Sequence, residues 1–187
     1  MTQEEWQAVM GDNPSRCKGE KNLPVDSVSW NDCQHFIKKL REKDKRLYRL
    51  PTEAEWEYSC RAGTKTPFHF GETISTEQAN YFGENVYGSG KKGVNRGKTT
   101  PVGSFPANAW GLHDMHGNVW QWCQNWCGVY PQKDVVDPQG PDTGKYRVLR
   151  GGSWGHSPGY CRSAFRSQNK PGTRYPYLGL RVCFSVE

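Results

Sequence analysis

Apolar side chains recur at helical spacing in three places, all in the first third of the chain, and each run opens on a capping residue. Thr2 with Glu5 forms a capping box ahead of Trp6, Val9 and Met10. Ser29 with Asp32 opens a second helix whose buried stripe is Cys33, Phe36, Ile37 and Leu40, at i, i+3, i+4 and i+7. Thr52 with Glu55 opens a third, after Pro51, with a stop expected at Gly63. Beyond Gly63 the texture changes to Gly, Pro, Asn, Ser and aromatics, and apolar runs become short. Val119-Trp120 and Tyr146-Arg147-Val148-Leu149 read as strands, and Leu178, Leu180, Val182 and Phe184 alternate with period two, as a half-buried strand does. The pattern predicts an α+β fold in one domain over 1–187, with about three helices first and a small, loop-rich antiparallel sheet later.

Composition explains how such a pattern closes a core. Only 34% of the 187 residues are hydrophobic, but 13% are aromatic and eight are Trp, so large rings must supply the volume. An aromatic content of this size argues against disorder. No run approaches the length of a membrane span, and Met1-Thr2-Gln3-Glu4-Glu5 does not read as a signal peptide. Charge is uneven: residues 1–140 balance at 17 basic and 17 acidic, so 141–187, with eight basic residues against Asp142 and Glu187, carries the whole +6. No nucleic-acid motif accompanies that excess, and the arginines are expected to pair with Glu53, Glu55 and Glu57 or to stack on Trp and Tyr. An anion-facing surface is the other reading. His113 and His116 are three apart with no third ligand nearby in sequence, and read as part of a tight turn rather than a metal pair.

Five segments in series carry a resemblance. They are Pro24-Val25-Asp26-Ser27-Val28-Ser29-Trp30-Asn31-Asp32, Arg49-Leu50-Pro51-Thr52-Glu53-Ala54-Glu55-Trp56-Glu57-Tyr58, Gly111-Leu112-His113-Asp114-Met115-His116-Gly117-Asn118-Val119-Trp120-Gln121-Trp122, Arg147-Val148-Leu149-Arg150-Gly151-Gly152-Ser153-Trp154, and Leu178-Gly179-Leu180-Arg181-Val182. In this order they resemble the formylglycine-generating enzyme (sulfatase-modifying factor) family, which implies a C-type lectin-like fold. The resemblance runs from end to end, while the Gly-Gly-x-Phe-x-Met-Gly strand that opens the family domain has no match.

Family oxidases hold copper(I) between two thiolates, soft ligands suited to that ion. The matching segment here supplies only Cys161, so copper and formylglycine chemistry are not expected, and Cys161 is at most a weak catalytic candidate. Two registers are possible. One places Cys161 at the second copper position; the other places Ser163 where a structural cysteine pairs with the position of Cys60. The resemblance thus allows a Cys60–Cys161 disulfide, with two free thiols as the alternative. It also implies a Ca²⁺ site through Asp114, Gly117, Val119 and Gln121, weakened because Gln121 stands where the family has Glu.

What the resemblance leaves is a binding surface. In the C-type lectin fold the late loops share one face, here segments 154–160 and 169–177, and Trp154, His156, Tyr160, Asn169, Arg174, Tyr175 and Tyr177 are its candidate ligand-binding residues. Stiff aromatics among small polar residues resemble an antibody paratope. Arg150-Gly151-Gly152-Ser153-Trp154 and Cys161-Arg162-Ser163-Ala164 also resemble variable proteins of diversity-generating retroelements. Those proteins diversify this region through asparagine codons, and His156, Tyr160, Asn169, Tyr175 and Tyr177 all have codons reachable that way. The expected function is a ligand- or protein-binding module with a protein or small ligand as partner. The alternatives are an O₂-dependent oxidase using Cys161 and a regulatory domain of a larger protein.

Overall fold

The computed structural model describes residues 1–184. Three helices form where the capping boxes predict: α1 (Gln3–Met10), α2 (Trp30–Asp44) and α3 (Glu53–Arg61). In each, the cap hydroxyl accepts the N3 amide and the N3 carboxylate returns to the cap amide, which satisfies orphan N–H groups at the N-terminus. The third helix ends at Ala62 in the left-handed conformation, one residue before the Gly63 expected to stop it.

Four strands follow: β1 (Trp120–Trp126), β2 (Arg147–Arg150), β3 (Arg166–Asn169) and β4 (Leu178–Gly179), in the order β3-β2-β1-β4. β2 is antiparallel to both β1 and β3, but β4 runs parallel to β1, so the sheet is mixed rather than purely antiparallel. The alternation from Leu178 to Phe184 overstates the last strand. Leu178 and Leu180 are buried, yet the ladder on β1 covers only Leu178 and Gly179. The chain then leaves β1 and forms a lone bridge between Cys183 and Arg49, with Phe184 exposed against Tyr48. The polar strand β3 carries no apolar alternation, because its place comes from pairing with β2. Among the described residues no helix is long and apolar enough to cross a membrane.

The main core lies between α1, α2 and the sheet. Trp6 stacks on Phe36 with ring centres 4.8 Å apart, and Val25, Val28, Leu50, Trp122 and Leu178 close around them. Two indoles find acceptors on distant backbone, Trp122 Nε1 donating to Val28 O at 2.9 Å and the partly buried Trp30 Nε1 to Cys123 O at 3.0 Å, while Trp6 Nε1 is buried without a partner. These bonds satisfy polar atoms inside an apolar interior.

Charge at the back of the sheet is neutralised internally, as one of the two sequence readings expected. Arg150 at the end of β2 has no exposed surface. It bonds Glu53 Oε1 at 3.3 Å, Glu57 Oε2, Ser163 O at 2.7 Å and Ala164 O at 3.3 Å. Arg166 forks onto Glu53 at 2.8 and 2.6 Å, Arg49 forks onto Glu55 at 2.6 Å twice, and Arg147 lies between the rings of Trp30 and Trp126 at 3.8 and 3.5 Å. Replacing Arg150 by Ala would leave the Glu53 and Glu57 carboxylates short of a buried partner. A loss of about 3–5 kcal/mol is expected in urea unfolding of Arg150→Ala, and a loss below about 1 kcal/mol would contradict the clasp.

Candidate functional site

The turn after β2 sets the geometry of the site. Gly151 and Gly152 both have positive φ, and a Cβ on Gly152 would stand 2.5 Å from Cys161 Sγ, so only glycine lets the two segments meet. The chain then runs outward through Trp154 and His156 into a single 3-10 turn, Pro158–Cys161. Its backbone is tied on both sides: Trp154 N donates to Asn118 O at 3.0 Å, Phe82 N to His156 O at 2.9 Å and Ser163 N to Pro67 O at 2.8 Å. The second loop, 169–177, is held by Ser27 N donating to Tyr175 O at 3.1 Å and by Asn31 N donating to Pro171 O at 3.2 Å.

Of the seven residues expected on the face, four form one aromatic group. His156 meets Tyr177 edge-on at 5.1 Å and Tyr160 at 5.6 Å, and Tyr177 stacks on Tyr175 at 5.3 Å. Tyr160 and Tyr175 are exposed, at 43% and 44%. Trp154 is half-buried beside them, its indole donating to Pro176 O at 3.3 Å. The other two lie outside that aromatic group and hold the loop. Arg174 forks onto Asp32 at 2.7 and 2.6 Å, and Asn169 Oδ1 accepts from Lys170 N at 3.0 Å and Thr173 Oγ1 at 3.1 Å. Phe165, which sequence reasoning did not select, lies under Tyr160 at 4.9 Å and against Trp120 at 6.1 Å. A lone Phe in a basic run gives no periodic signal.

Cys161 has no exposed surface, and burial pushes its thiol up to about 12. Cys60 is likewise buried and raised to about 12. Of the two alternatives left open, a Cys60–Cys161 bridge or two free thiols, the structure has both cysteines as free thiols. Cys60 Sγ instead donates to Ser163 Oγ at 3.5 Å. This contact puts Ser163 within reach of Cys60, as the register with Ser163 at the bridging position requires. Next to this pair, His116 bonds Cys161 O through Nδ1 at 2.7 Å and accepts the His69 amide on Nε2 at 3.2 Å. Its burial lowers its pKa to about 3. His113 bonds Phe105 O at 2.8 Å, so the two histidines of the turn serve different carbonyls.

Asp114, Gly117, Val119 and Gln121 do line one depression, of about 340 Å³, together with Arg181. Gly117 is fixed by close approach, since a Cβ there would lie 2.3 Å from Asn80 O. Asp114 Oδ1 is buried without a partner, while Oδ2 accepts Gly103 N at 2.8 Å. Gln121 Oε1 is already engaged by Trp56 Nε1 at 2.9 Å and Arg181 Nε at 3.1 Å. Asp114 Oδ1 is the one free carboxylate oxygen of the four residues and lies beside the Arg181 guanidinium, so Ca²⁺ there would take most of its six to eight oxygens from backbone carbonyls and water, a weakened site as the sequence implies. Among the described residues no cluster of three His, Cys, Asp or Glu could hold a metal. A larger hollow of about 850 Å³, between α3 and residues 128–141, was not anticipated. Its apolar wall of Val129, Tyr130, Val135 and Val136 sits in a stretch without helical or strand period.

The Ser163 register has a direct test. Ser163→Cys is expected to close a disulfide with Cys60, spanning 103 residues, visible as a mass loss of about 2 Da without reductant and worth ~4–5 kcal/mol in the chain-entropy model. If Cys60 and the introduced thiol both remain titratable in that variant under oxidising conditions, the register is contradicted.

Comparison with known proteins places this geometry. Residues 1–186 match the model of the sulfatase-modifying factor enzyme 1-like domain. The formylglycine-generating enzyme of Mus musculus is 38% identical over 94% of this chain and 50% of its own length. A serine/threonine-protein kinase, pkn1 of Chlamydia caviae, is 38% identical over 90% of this chain and 25% of its own. The chain thus spans half or less of these curated relatives. Among solved structures, Treponema denticola variable protein 1 superposes with a TM-score of 0.85 at 31% identity, covering 97% of this chain and 81% of that one. PvdO from Pseudomonas aeruginosa gives 0.78 at 29% identity, covering 97% and 76%. With residues 1–186 of this chain matched by the family model, the chain belongs to the sulfatase-modifying factor enzyme 1-like family.

Proposed function

We propose that this domain is a binding module whose working surface is the aromatic group of His156, Tyr160, Tyr175 and Tyr177, with Trp154 at its edge. The observation that carries this reading is that exposed tyrosines stand on loops held at several points by backbone hydrogen bonds and by the Arg174–Asp32 fork. Loops already ordered lose little entropy on binding, and that cost is what separates a contact surface from an adhesive one. Tyrosine adds large contact area with few rotamers to freeze.

The oxidase reading has less support. A thiol nucleophile acts as thiolate, and Cys161 is enclosed, with its pKa raised to about 12. The other fully buried thiol of this region, Cys60, faces Ser163. A regulatory part of a longer polypeptide is compatible with the binding reading, and the similarity to a kinase that is four times the matched length favours keeping it.

We also read the chain as a variable protein of the retroelement type. The likeness to Treponema denticola variable protein 1 supports this, as does the location of His156, Tyr160, Tyr175 and Tyr177, all with codons reachable from Asn, on one face. Panning the immobilised domain against a naive phage-displayed peptide library tests the face. Peptides that bind are expected to lose about tenfold or more in affinity with Tyr160→Ala or Tyr175→Ala, with Tm held within about 2 °C. The distant exposed substitution Val136→Ser is expected to leave binding intact. Binders indifferent to both tyrosines would contradict the assignment.

A further inference from the structure

One polar atom at the centre of the aromatic group has its protonation fixed by what lies beneath it. His156 Nδ1 points inward, 3.4 Å from Trp120 Nε1 and 2.7 Å from Ser153 Oγ. An indole N–H can only donate, so the tautomer that serves Trp120 has Nδ1 as acceptor, and in it the Ser153 hydroxyl donates to the same nitrogen. The ring proton is then carried by Nε2. Trp120 and Ser153 are both buried, at 3% and 0% exposure, and cannot turn away to water. Around the ring, Trp120, Tyr160 and Tyr177 stand edge-on at 5.5, 5.6 and 5.1 Å, which fixes its plane. No protein acceptor bonds Nε2 among the described residues, and His156 itself is half-buried.

We infer that His156 is the specificity-determining residue of the face: its Nε2–H is a pre-aimed donor that selects partners presenting a carbonyl oxygen attached to an apolar or aromatic group. The inference rests on the binding reading above and names the chemistry that surface prefers. The surrounding rings take the apolar part by contact and stacking. The single N–H, set in a partly dehydrated aromatic rim, penalises any partner that covers it without supplying an acceptor. A purely hydrocarbon surface would leave the donor unpaired, so it is discriminated against even where its shape fits. Partial burial also holds the imidazole pKa below its usual value, in keeping with a neutral ring with one outward N–H.

Two measurements on the whole domain decide this. Long-range ¹H–¹⁵N correlation at pH 7.5 is expected to show His156 protonated on Nε2 alone; a proton on Nδ1 overturns the inference without any variant being made. Acetophenone and ethylbenzene, alike in size and differing in the carbonyl, are then titrated with the Tyr160 and Tyr177 ring resonances as reporters. Acetophenone is expected to bind about fivefold more tightly, the equivalent of one net hydrogen bond. That preference is expected to vanish in His156→Phe, which keeps a ring of similar size. Equal binding of both probes by the wild-type domain, or a preference retained in His156→Phe, overturns the role of His156 and leaves the binding face standing. No response of the face to either probe overturns the inference, while the binding reading stands or falls with the peptide panning.

Discussion

The Arg150 guanidinium, buried between the Glu53 and Glu57 carboxylates of α3, is the contact on which the rest of the architecture depends. A buried ion pair adds little net stability compared with a well-packed apolar substitute, because two charges must be stripped of water. Its value here is positional. The same guanidinium donates to Ser163 O and Ala164 O, so one side chain ties β2, α3 and the segment leaving the 3-10 turn. Arg166 repeats the arrangement from β3 onto Glu53. The acidic run of α3 thereby fixes where β2 ends and where the outer loops begin.

From that fixed point the chain can expose aromatic side chains without losing order. Gly152 brings Cys161 close under the turn, Asn118 and Phe82 hold the backbone at Trp154 and His156, and the α2 cap region secures the second loop through Asp32. Rings then brace rings: Trp120 and Phe165 below, His156 and Tyr177 between, Tyr160 and Tyr175 outermost. A scaffold of this kind tolerates change at its outer rings because the positioning groups lie one layer beneath. The enclosed Cys60 and Cys161 belong to that lower layer, where burial keeps them protonated.

Much of this was legible in the sequence, for reasons that differ from element to element. The helices were readable because capping boxes and i, i+3, i+4 stripes are local signals, and the acidic partners of the late arginines followed from the uneven distribution of charge. β3 was not readable, since Arg166 to Asn169 is polar and owes its strand state to β2. Nor was the shortness of β4, where the alternation continues but the partner strand has gone. Within the site, residue type pointed to the aromatic face. It did not distinguish Tyr160 and Tyr175, whose rings stand in the aromatic group, from Arg174 and Asn169, which bond Asp32 and the loop itself. The donor set around Asp114 is weakened for a similar reason: the four residues converge, but Trp56 and Arg181 occupy the oxygen of Gln121.

The central claim is that this domain works through its surface and not through thiol chemistry at Cys161. The most direct measurement is site-resolved alkylation of the native protein with iodoacetamide at pH 7.5, read by mass spectrometry. The account predicts labelling at the partly exposed Cys17, Cys127 and Cys183, with Cys60 and Cys161 reacting only after denaturation. Rapid native labelling of Cys161 would contradict it, since an accessible thiolate at that position is what an oxidase of this family would require.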